Sequence, residues 1–213
     1  MIPFLRHRIN RAMNRVCLVV ILALLTTCAF SQNFDINLLK EINLGRSAAT
    51  DRFFTTVTNS VTPLTIAVPV GFITYAIVKK DSASKSNAIM LTGALVVSGI
   101  VTTSLKYAVY RERPFSTYPE IEQKVPASGY SFPSSHTSTA FALATSVSIA
   151  YPKWYVVTPS FLWAGAVGYS RMELGVHYPS DVLAGAIIGS GSSYLSYRLT
   201  QWINKKDRRL AKH

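Results

Sequence analysis

The chain has 213 residues, of which 49% are hydrophobic and only 15% are charged, below the roughly 25% usual for soluble domains. This composition favours a membrane protein with a single domain large enough to hold a core. The net charge of +12 is compatible with nucleic-acid binding, but basic residues interleaved with aromatics along one groove-like stretch are not apparent. The two cysteines, Cys17 and Cys28, lie in one apolar run and indicate neither a disulfide framework nor a metal site.

The N-terminal segment has the pattern of a targeting sequence. The basic stretch RHRINRAMNR precedes the apolar run VCLVVILALLTTCAF, and small residues follow before Gln32. This pattern predicts a secretory signal peptide over residues 1–31. An uncleaved membrane anchor is the alternative, although a spanning helix prefers roughly 20 residues. With either outcome, Gln32 and the residues after it begin outside the cytoplasm.

The rest of the chain predicts a bundle of helices. Residues 32–61 mix charges with Phe and Leu at helical spacing, which indicates an amphipathic segment that packs on the bundle or lies at the membrane interface. Five apolar segments follow: Thr62–Val78, Ala88 to about Val109, Thr137–Ala150, Tyr155–Tyr169 and Val182–Leu199. Several are rich in Ser, Thr and Gly, which permit close helix packing. We therefore predict an all-α integral membrane bundle of about five to six transmembrane helices over residues 62–200, followed by a basic tail at residues 201–213.

The distribution of basic residues predicts how this bundle is oriented. With the N-terminus inside and the side alternating at each span, most of the 22 Lys and Arg residues, including those of the tail, fall in short cytoplasmic segments. This agrees with the positive-inside rule. The same threading places three polar clusters at helix ends on the outer side: Lys106–Pro114, Phe132–Ser138 and Ser170–Asp181. We therefore expect any active site to lie at the outer membrane face.

Each cluster has an ordinary structural explanation when it is considered alone. Lys106 and Arg113 fit snorkelling side chains at a membrane boundary. His136 fits a polar helix cap, and His177 with Asp181 fits a structural hydrogen-bonded pair. Each of these explanations covers one cluster, and none of them accounts for all three at one surface.

Together the clusters predict chemistry on an anion. Arginine offers a planar fork for phosphate oxygens, and the helix start predicted at Ser134 offers backbone N–H groups to an anion. The outer clusters carry no grouping of carboxylates of the kind that holds Mg or Zn. This combination favours phosphoryl transfer, in which positioning and charge stabilisation carry most of the catalysis.

The clusters resemble the three-part signature of the type 2 phosphatidic acid phosphatase (PAP2) superfamily, which also contains bacterial class A acid phosphatases and vanadium haloperoxidases. That signature reads Lys, six residues, Arg-Pro; then Pro-Ser-Gly-His; then Ser-Arg, five residues, His, three residues, Asp. It corresponds here to Lys106 with Arg113-Pro114, to Pro133-Ser134-Ser135-His136, and to Ser170-Arg171 with His177 and Asp181. All spacings are kept within Thr62–Leu199. One position departs: Ser135 stands where the family usually has Gly.

The resemblance implies roles for these residues. His177 is implied as the nucleophile that forms a phosphohistidine, Asp181 as the residue that orients it, and His136 as the group that protonates the leaving alkoxide and later activates water. The implied phosphate-binding groups are Lys106, Arg113, Arg171, Ser134 and the backbone N–H of Ser135. The resemblance implies no metal and no cofactor, and it implies that vanadate inhibits.

The apolar segments and the predicted sidedness favour the membrane-embedded branch of the family, which acts on lipid phosphates, over its soluble acid phosphatases. The implied location is the bacterial inner membrane, with a multi-pass chain and a site that faces the periplasm. Phosphatidic acid, phosphatidylglycerophosphate, undecaprenyl diphosphate and lipid A all fit as substrates. Two alternatives stay open. One is a catalytically degenerate lipid-binding or transport protein, favoured by Ser135 and by the polar, Gly-rich last segment; the other is a vanadate-dependent haloperoxidase.

Overall fold

The computed structural model describes residues 33–45 and 47–210, with side chains up to residue 205. The chain divides into two compact units, residues 1–38 and residues 39–213. Within the first unit, the described residues 33–38 are helical. The predicted signal peptide or anchor at residues 1–31 and the last three residues of the basic tail lie outside the described residues.

The described part of the chain is all-helical, as predicted. In chain order, its helices are α1 (residues 33–44), α2 (Ala48–Asn59), α3 (Val61–Lys79), α4 (Ser82–Val109), α5 (Pro114–Thr117), α6 (Ser135–Ala150), α7 (Trp154–Glu173) and α8 (Pro179–Leu210). Each of the five predicted apolar segments lies in a helix of its own, in α3, α4, α6, α7 and α8. Helices therefore form where the apolar segments predict them, and the short helix α5 lies between the second and third of them.

Polar side chains determine where several helices begin. At the start of α2, Ser47 Oγ accepts a hydrogen bond from Thr50 N at 3.3 Å, and Thr50 Oγ1 accepts one from Ser47 N at 2.9 Å. At the start of α4, Asp81 Oδ1 accepts from Ser84 N at 2.8 Å. These bonds satisfy backbone donors that the first turn of a helix leaves unpaired.

The core of the second unit is built around close contact between α6 and α8. Gly185 and Gly189 lie one turn apart on α8 and face the backbone of α6. A Cβ atom at Gly185 would lie 2.7 Å from Ser134 O, and one at Gly189 would collide with Ser138 O. The two backbones can approach this closely because both positions lack a side chain.

Hydroxyl groups pair across the same helices. Ser146 Oγ donates to Ser193 Oγ at 3.0 Å, and Ser193 Oγ donates to Ala142 O at 2.8 Å. Ser196 Oγ on α8 donates to Met90 O on α4 at 2.7 Å. The hydroxyls of Ser193 and Ser196, which contribute to the polarity of the last predicted segment, are therefore bonded inside the bundle.

The outward faces of α3 and α4 are apolar. Exposed side chains there include Ile66 and Ile77 on α3 and Val96 and Ile100 on α4. By length and composition, two helical stretches of the described chain can cross a membrane, Ala48–Lys79 and Ser82–Thr117. This count does not confirm the predicted five to six spans, because α6 has only 16 residues and α7 and α8 carry many polar or small side chains. The number of spans stays a prediction.

Candidate active site

The three predicted clusters meet at one end of the bundle, where α4 and α7 end and α6 and α8 begin. Ser134 N, at the start of α6, donates to Asp181 O on α8 at 3.1 Å. Arg113 Nη1 donates to Val176 O, between α7 and α8, at 2.8 Å. Residues that are far apart in the sequence are thus joined through backbone groups at a single site.

His177 and Asp181 form the buried centre of this site, with exposed fractions of 2% and 0%. His177 Nδ1 lies 3.4 Å from Asp181 Oδ2 and 3.4 Å from Ser131 Oγ. The same carboxylate oxygen accepts a short hydrogen bond from Ser131 Oγ and one of 3.0 Å from Tyr178 N. On the other edge of the ring, Nε2 lies 3.4 Å from Arg113 Nη1. The imidazole is held at Nδ1, and its Nε2 faces the guanidinium of Arg113.

The environment of His177 favours a neutral ring. Burial lowers the pKa of His177 to about 3; the charges of Arg171 and Arg113 act in the same direction, whereas Asp181 opposes the shift. At pH 7 one ring nitrogen therefore carries a lone pair. With Nδ1 facing a carboxylate, that lone pair lies on Nε2.

Lys106 and Arg113 brace the loop that precedes α6. Lys106 Nζ donates to Tyr130 O at 2.7 Å and to Ser131 O at 3.3 Å. Arg113 donates from Nε to Gly129 O at 3.0 Å and from Nη2 to Ser128 O at 2.8 Å. An ammonium group has three N–H donors, so Lys106 keeps one in addition to these two bonds. Both cations thus hold the backbone that carries Ser131.

Arg171 is buried, with 4% of its surface exposed. Its Nη1 donates to Thr58 Oγ1, on α2, at 2.7 Å. Among the described residues, its Nε has no hydrogen-bond partner. A buried donor without an acceptor is costly, and a phosphate oxygen would satisfy it.

The first turn of α6 carries the remaining predicted residues. Ser134 caps the helix, and its Oγ accepts from Thr137 Oγ1 at 2.9 Å. Ser135 and His136 are half-buried at the first two helical positions, where backbone N–H groups have no acceptor within the helix. Burial, and after it the charges of Arg171, Arg113 and Lys106, lower the pKa of His136 to about 4. All eight predicted site residues therefore lie together.

The sequence analysis missed four residues of this site: Thr58, Arg111, Ser131 and Tyr178. Arg111 Nη1 forms an ion pair with Asp181 Oδ1 at 2.7 Å. A signal for Arg111 existed, because it stands two positions before Arg113 in a motif rich in cations. Thr58 lies 113 positions before its partner Arg171 and carries no local signal.

Comparison with known proteins identifies the family. The family model of the PAP2 superfamily matches residues 87–205, which is more than half of the chain. The chain therefore belongs to the PAP2 superfamily. The three motifs, which lie at Lys106–Asp181, all fall inside the matched residues.

Individual relatives match shorter stretches. Lipid A 4'-phosphatase from Bacteroides thetaiotaomicron is 41% identical over 69 residues, 32% of this chain and 31% of the relative. Undecaprenyl-diphosphatase from Sulfolobus acidocaldarius is 34% identical over 110 residues, 49% of this chain and 53% of the relative. This chain thus spans about a third of the first relative and about half of the second. The crystal structure of Aquifex aeolicus LpxE has a TM-score of 0.69 at 27% identity, covering 78% of this chain and 95% of that chain.

Proposed function

We propose that this protein is a membrane phosphatase that hydrolyses a lipid phosphate monoester or diphosphate through a phosphohistidine intermediate, without a metal ion. The observation that carries the proposal is the buried His177–Asp181 pair. The Nε2 atom of His177 lies 3.4 Å from Arg113 Nη1. The names of the two relatives, a lipid A phosphatase and an undecaprenyl-diphosphatase, support a lipid phosphate as substrate.

In the first step, the lone pair on His177 Nε2 attacks phosphorus. A P–N bond forms and the P–O bond to the lipid breaks. His136, which takes up a proton when the phosphate anion binds beside it and raises its pKa, donates that proton to the departing oxygen. Asp181 stabilises the positive charge that develops on the imidazole. Arg113, already beside Nε2, and Arg171, with its unpartnered Nε, donate to the phosphate oxygens.

In the second step, His136 takes a proton from water, and the water oxygen attacks phosphorus. The P–N bond breaks and its electron pair returns to His177 Nε2. The products are inorganic phosphate and a lipid alcohol, or a lipid monophosphate when the substrate is a diphosphate. Lys106, together with Ser134 and the backbone N–H of Ser135, binds the phosphate oxygens throughout.

The proposed location is the bacterial inner membrane, with the site facing the periplasm. Two helical stretches apolar enough to cross a bilayer and the basic residues at the opposite helix ends support it. In this arrangement residues 62–200 are the phosphatase domain, residues 32–61 an amphipathic segment and residues 201–213 a cytoplasmic tail. A site at the outer boundary suits a substrate whose phosphate projects into water and whose chains stay in lipid.

The test is phosphate release from a panel of lipid phosphates by membranes that carry the parent protein or His177→Ala. In the presence of EDTA, we expect release from at least one lipid by the parent and a loss of at least about 10³-fold in the variant. A labelled substrate should leave a phosphoenzyme that is stable in alkali and labile in acid. Release that persists in the variant would mean that another residue is the nucleophile.

The effect of vanadate and the presence or absence of phosphate release distinguish the proposed phosphatase from the two alternative functions. Vanadate, which adopts the geometry of the phosphoryl-transfer transition state, is expected to inhibit release. Vanadate-dependent halide oxidation would indicate a haloperoxidase instead. No release from any lipid by correctly inserted protein would indicate a lipid-binding or transport protein with a degenerate site.

A further inference from the structure

Arg111 contacts the turn between the proposed nucleophile and its aspartate partner. Its Nη1 donates to Asp181 Oδ1 at 2.7 Å and to Ser180 Oγ at 2.6 Å. Its guanidinium carbon lies 3.8 Å from the centre of the Tyr178 ring, which places the cation over the aromatic face. Arg111 thus contacts three residues of one short stretch of chain: Tyr178, Ser180 and Asp181.

The two oxygens of Asp181 have separate partners. Oδ2 lies 3.4 Å from His177 Nδ1 and accepts from Ser131 Oγ and Tyr178 N. Oδ1 accepts from Arg111. A carboxylate bonded at both oxygens cannot turn about its Cβ–Cγ bond, a torsion that is otherwise broad. The bond at Oδ1 therefore affects the position of Oδ2.

We propose that Arg111 is a positioning residue, which holds Asp181 at Oδ1 so that Oδ2 stays aligned with His177 Nδ1 and Nε2 stays directed at phosphorus. This inference rests on the proposed function, since it assigns a role to Arg111 in the same reaction. It adds a residue that the family signature in this sequence does not include.

The geometry favours a role through Asp181 over direct contact with the phosphate. The Nη1 atom of Arg111 is engaged by two acceptors within 2.7 Å, and the guanidinium faces a ring. On Asp181, Arg111 Nη1 donates to Oδ1, the carboxylate oxygen that does not face the imidazole of His177. The Asp181 side chain is fully buried and its charge needs a partner, whereas Arg113 and Arg171 already supply cations near Nε2 and phosphorus.

The experiment measures kcat and KM on the best lipid for the parent, Arg111→Met and Arg111→Lys. We expect Arg111→Met to lower kcat by about 10- to 100-fold, because small misplacements of a reacting atom cost this much, and to change KM by less than about twofold. Arg111→Lys keeps the charge but loses the fork and the stacking, so its kcat should fall between the other two values.

Arg198→Met is the matched control. Arg198 also lies over a tyrosine ring, at 5.9 Å from the centre of Tyr194. It stands 17 residues beyond Asp181 on α8, roughly 25 Å along the helix. We expect kcat and KM of this variant to stay within about twofold of the parent. Thermal unfolding of each variant in detergent reports whether it is folded, and Arg111→Lys carries the test if Arg111→Met does not fold.

A double-mutant cycle with Asp181→Asn separates positioning from other roles. If Arg111 acts through Asp181, Arg111→Met should cost less than about twofold in the Asp181→Asn background, since the two substitutions remove one interaction. Equal losses of kcat in both backgrounds would overturn the proposal.

A rise in KM at unchanged kcat in Arg111→Met alone would also overturn it and would make Arg111 a phosphate ligand. An active parent unaffected by Arg111→Met would contradict only the positioning role, whereas an inactive parent would contradict the proposed function as well.

Discussion

The α6–α8 pair buries polar side chains, whereas the α3–α4 pair exposes apolar ones. Between α6 and α8, hydroxyls such as those of Ser146 and Ser193 are buried and bonded to each other. On α3 and α4, large apolar side chains are exposed, with Ile66 at 63% and Ile100 at 61%. Soluble domains usually show the reverse preference. The contrast separates an interior fixed by close backbone contact and polar pairing from an outer surface suited to lipid.

The largest expected effect comes from a substitution that breaks the α6–α8 contact. In Gly189→Ala, the new methyl group would collide with Ser138 O and lie 2.8 Å from Ala142 N, so the two backbones must separate. Overpacking of this kind typically costs 1–3 kcal/mol, and contact with backbone should put the loss at about 3 kcal/mol. Thermal unfolding of purified protein in detergent, together with the yield of folded protein, measures it.

Gly191→Ala is the control on the same helix, because a Cβ atom at Gly191 meets nothing within 4 Å. It should unfold at the parent's temperature or slightly above, since alanine favours helix over glycine by roughly 0.5–1 kcal/mol. Equal behaviour of the two variants would show that α6 and α8 do not pack as closely as described.

A second, smaller effect tests whether α2 contributes to the active site. Thr58→Val removes the hydroxyl that accepts from Arg171 Nη1 at 2.7 Å and leaves a side chain of similar size. Without this bond the guanidinium is less well oriented, so KM should rise about 3- to 10-fold, in line with one hydrogen bond of about 1 kcal/mol. The value of kcat should change less. Steady-state kinetics on the best lipid measures both.

Thr56→Val is the control for this substitution. Thr56 is exposed on the same helix, and its hydroxyl donates to Arg52 O at 3.0 Å, away from Arg171. Its KM should stay within about twofold of the parent. If Thr56→Val and Thr58→Val raise KM equally, the hydroxyl of Thr58 does not position Arg171.

The helices could largely be predicted because apolar runs interrupted by polar turns leave a local signal. The segments that became α3 and α4 show this clearly, and both are apolar enough to span a membrane. The number of spans could not be settled in the same way. The hydroxyls of α8, such as Ser193 and Ser196, lower its mean hydropathy although they are bonded inside the bundle, and hydropathy does not distinguish a bonded hydroxyl from a solvated one.

The grouping of the eight predicted residues could be anticipated because the family motifs keep their spacing along the chain. Their additional contacts could not. Ser131 is 50 positions from Asp181 and Thr58 is 113 positions from Arg171, so these pairs depend on how helices and loops pack. Likewise, nothing in the motif indicated that Lys106 and Arg113 would also hold the loop of residues 128–131.

The smallest expected effect concerns Ser135, the one position that departs from the family signature. In Ser135→Gly the backbone N–H stays at the first position of α6, because Ser134 still caps the helix. The Ser135 side chain is small and half-buried, so its removal opens little space beside the proposed phosphate site. We expect kcat/KM on the best lipid to change by less than about threefold, and inhibition by vanadate to change as little. A gain of tenfold or more would show that the serine side chain obstructs the phosphate. A loss of that size would show instead that its hydroxyl takes part in binding, as an addition to the backbone donor.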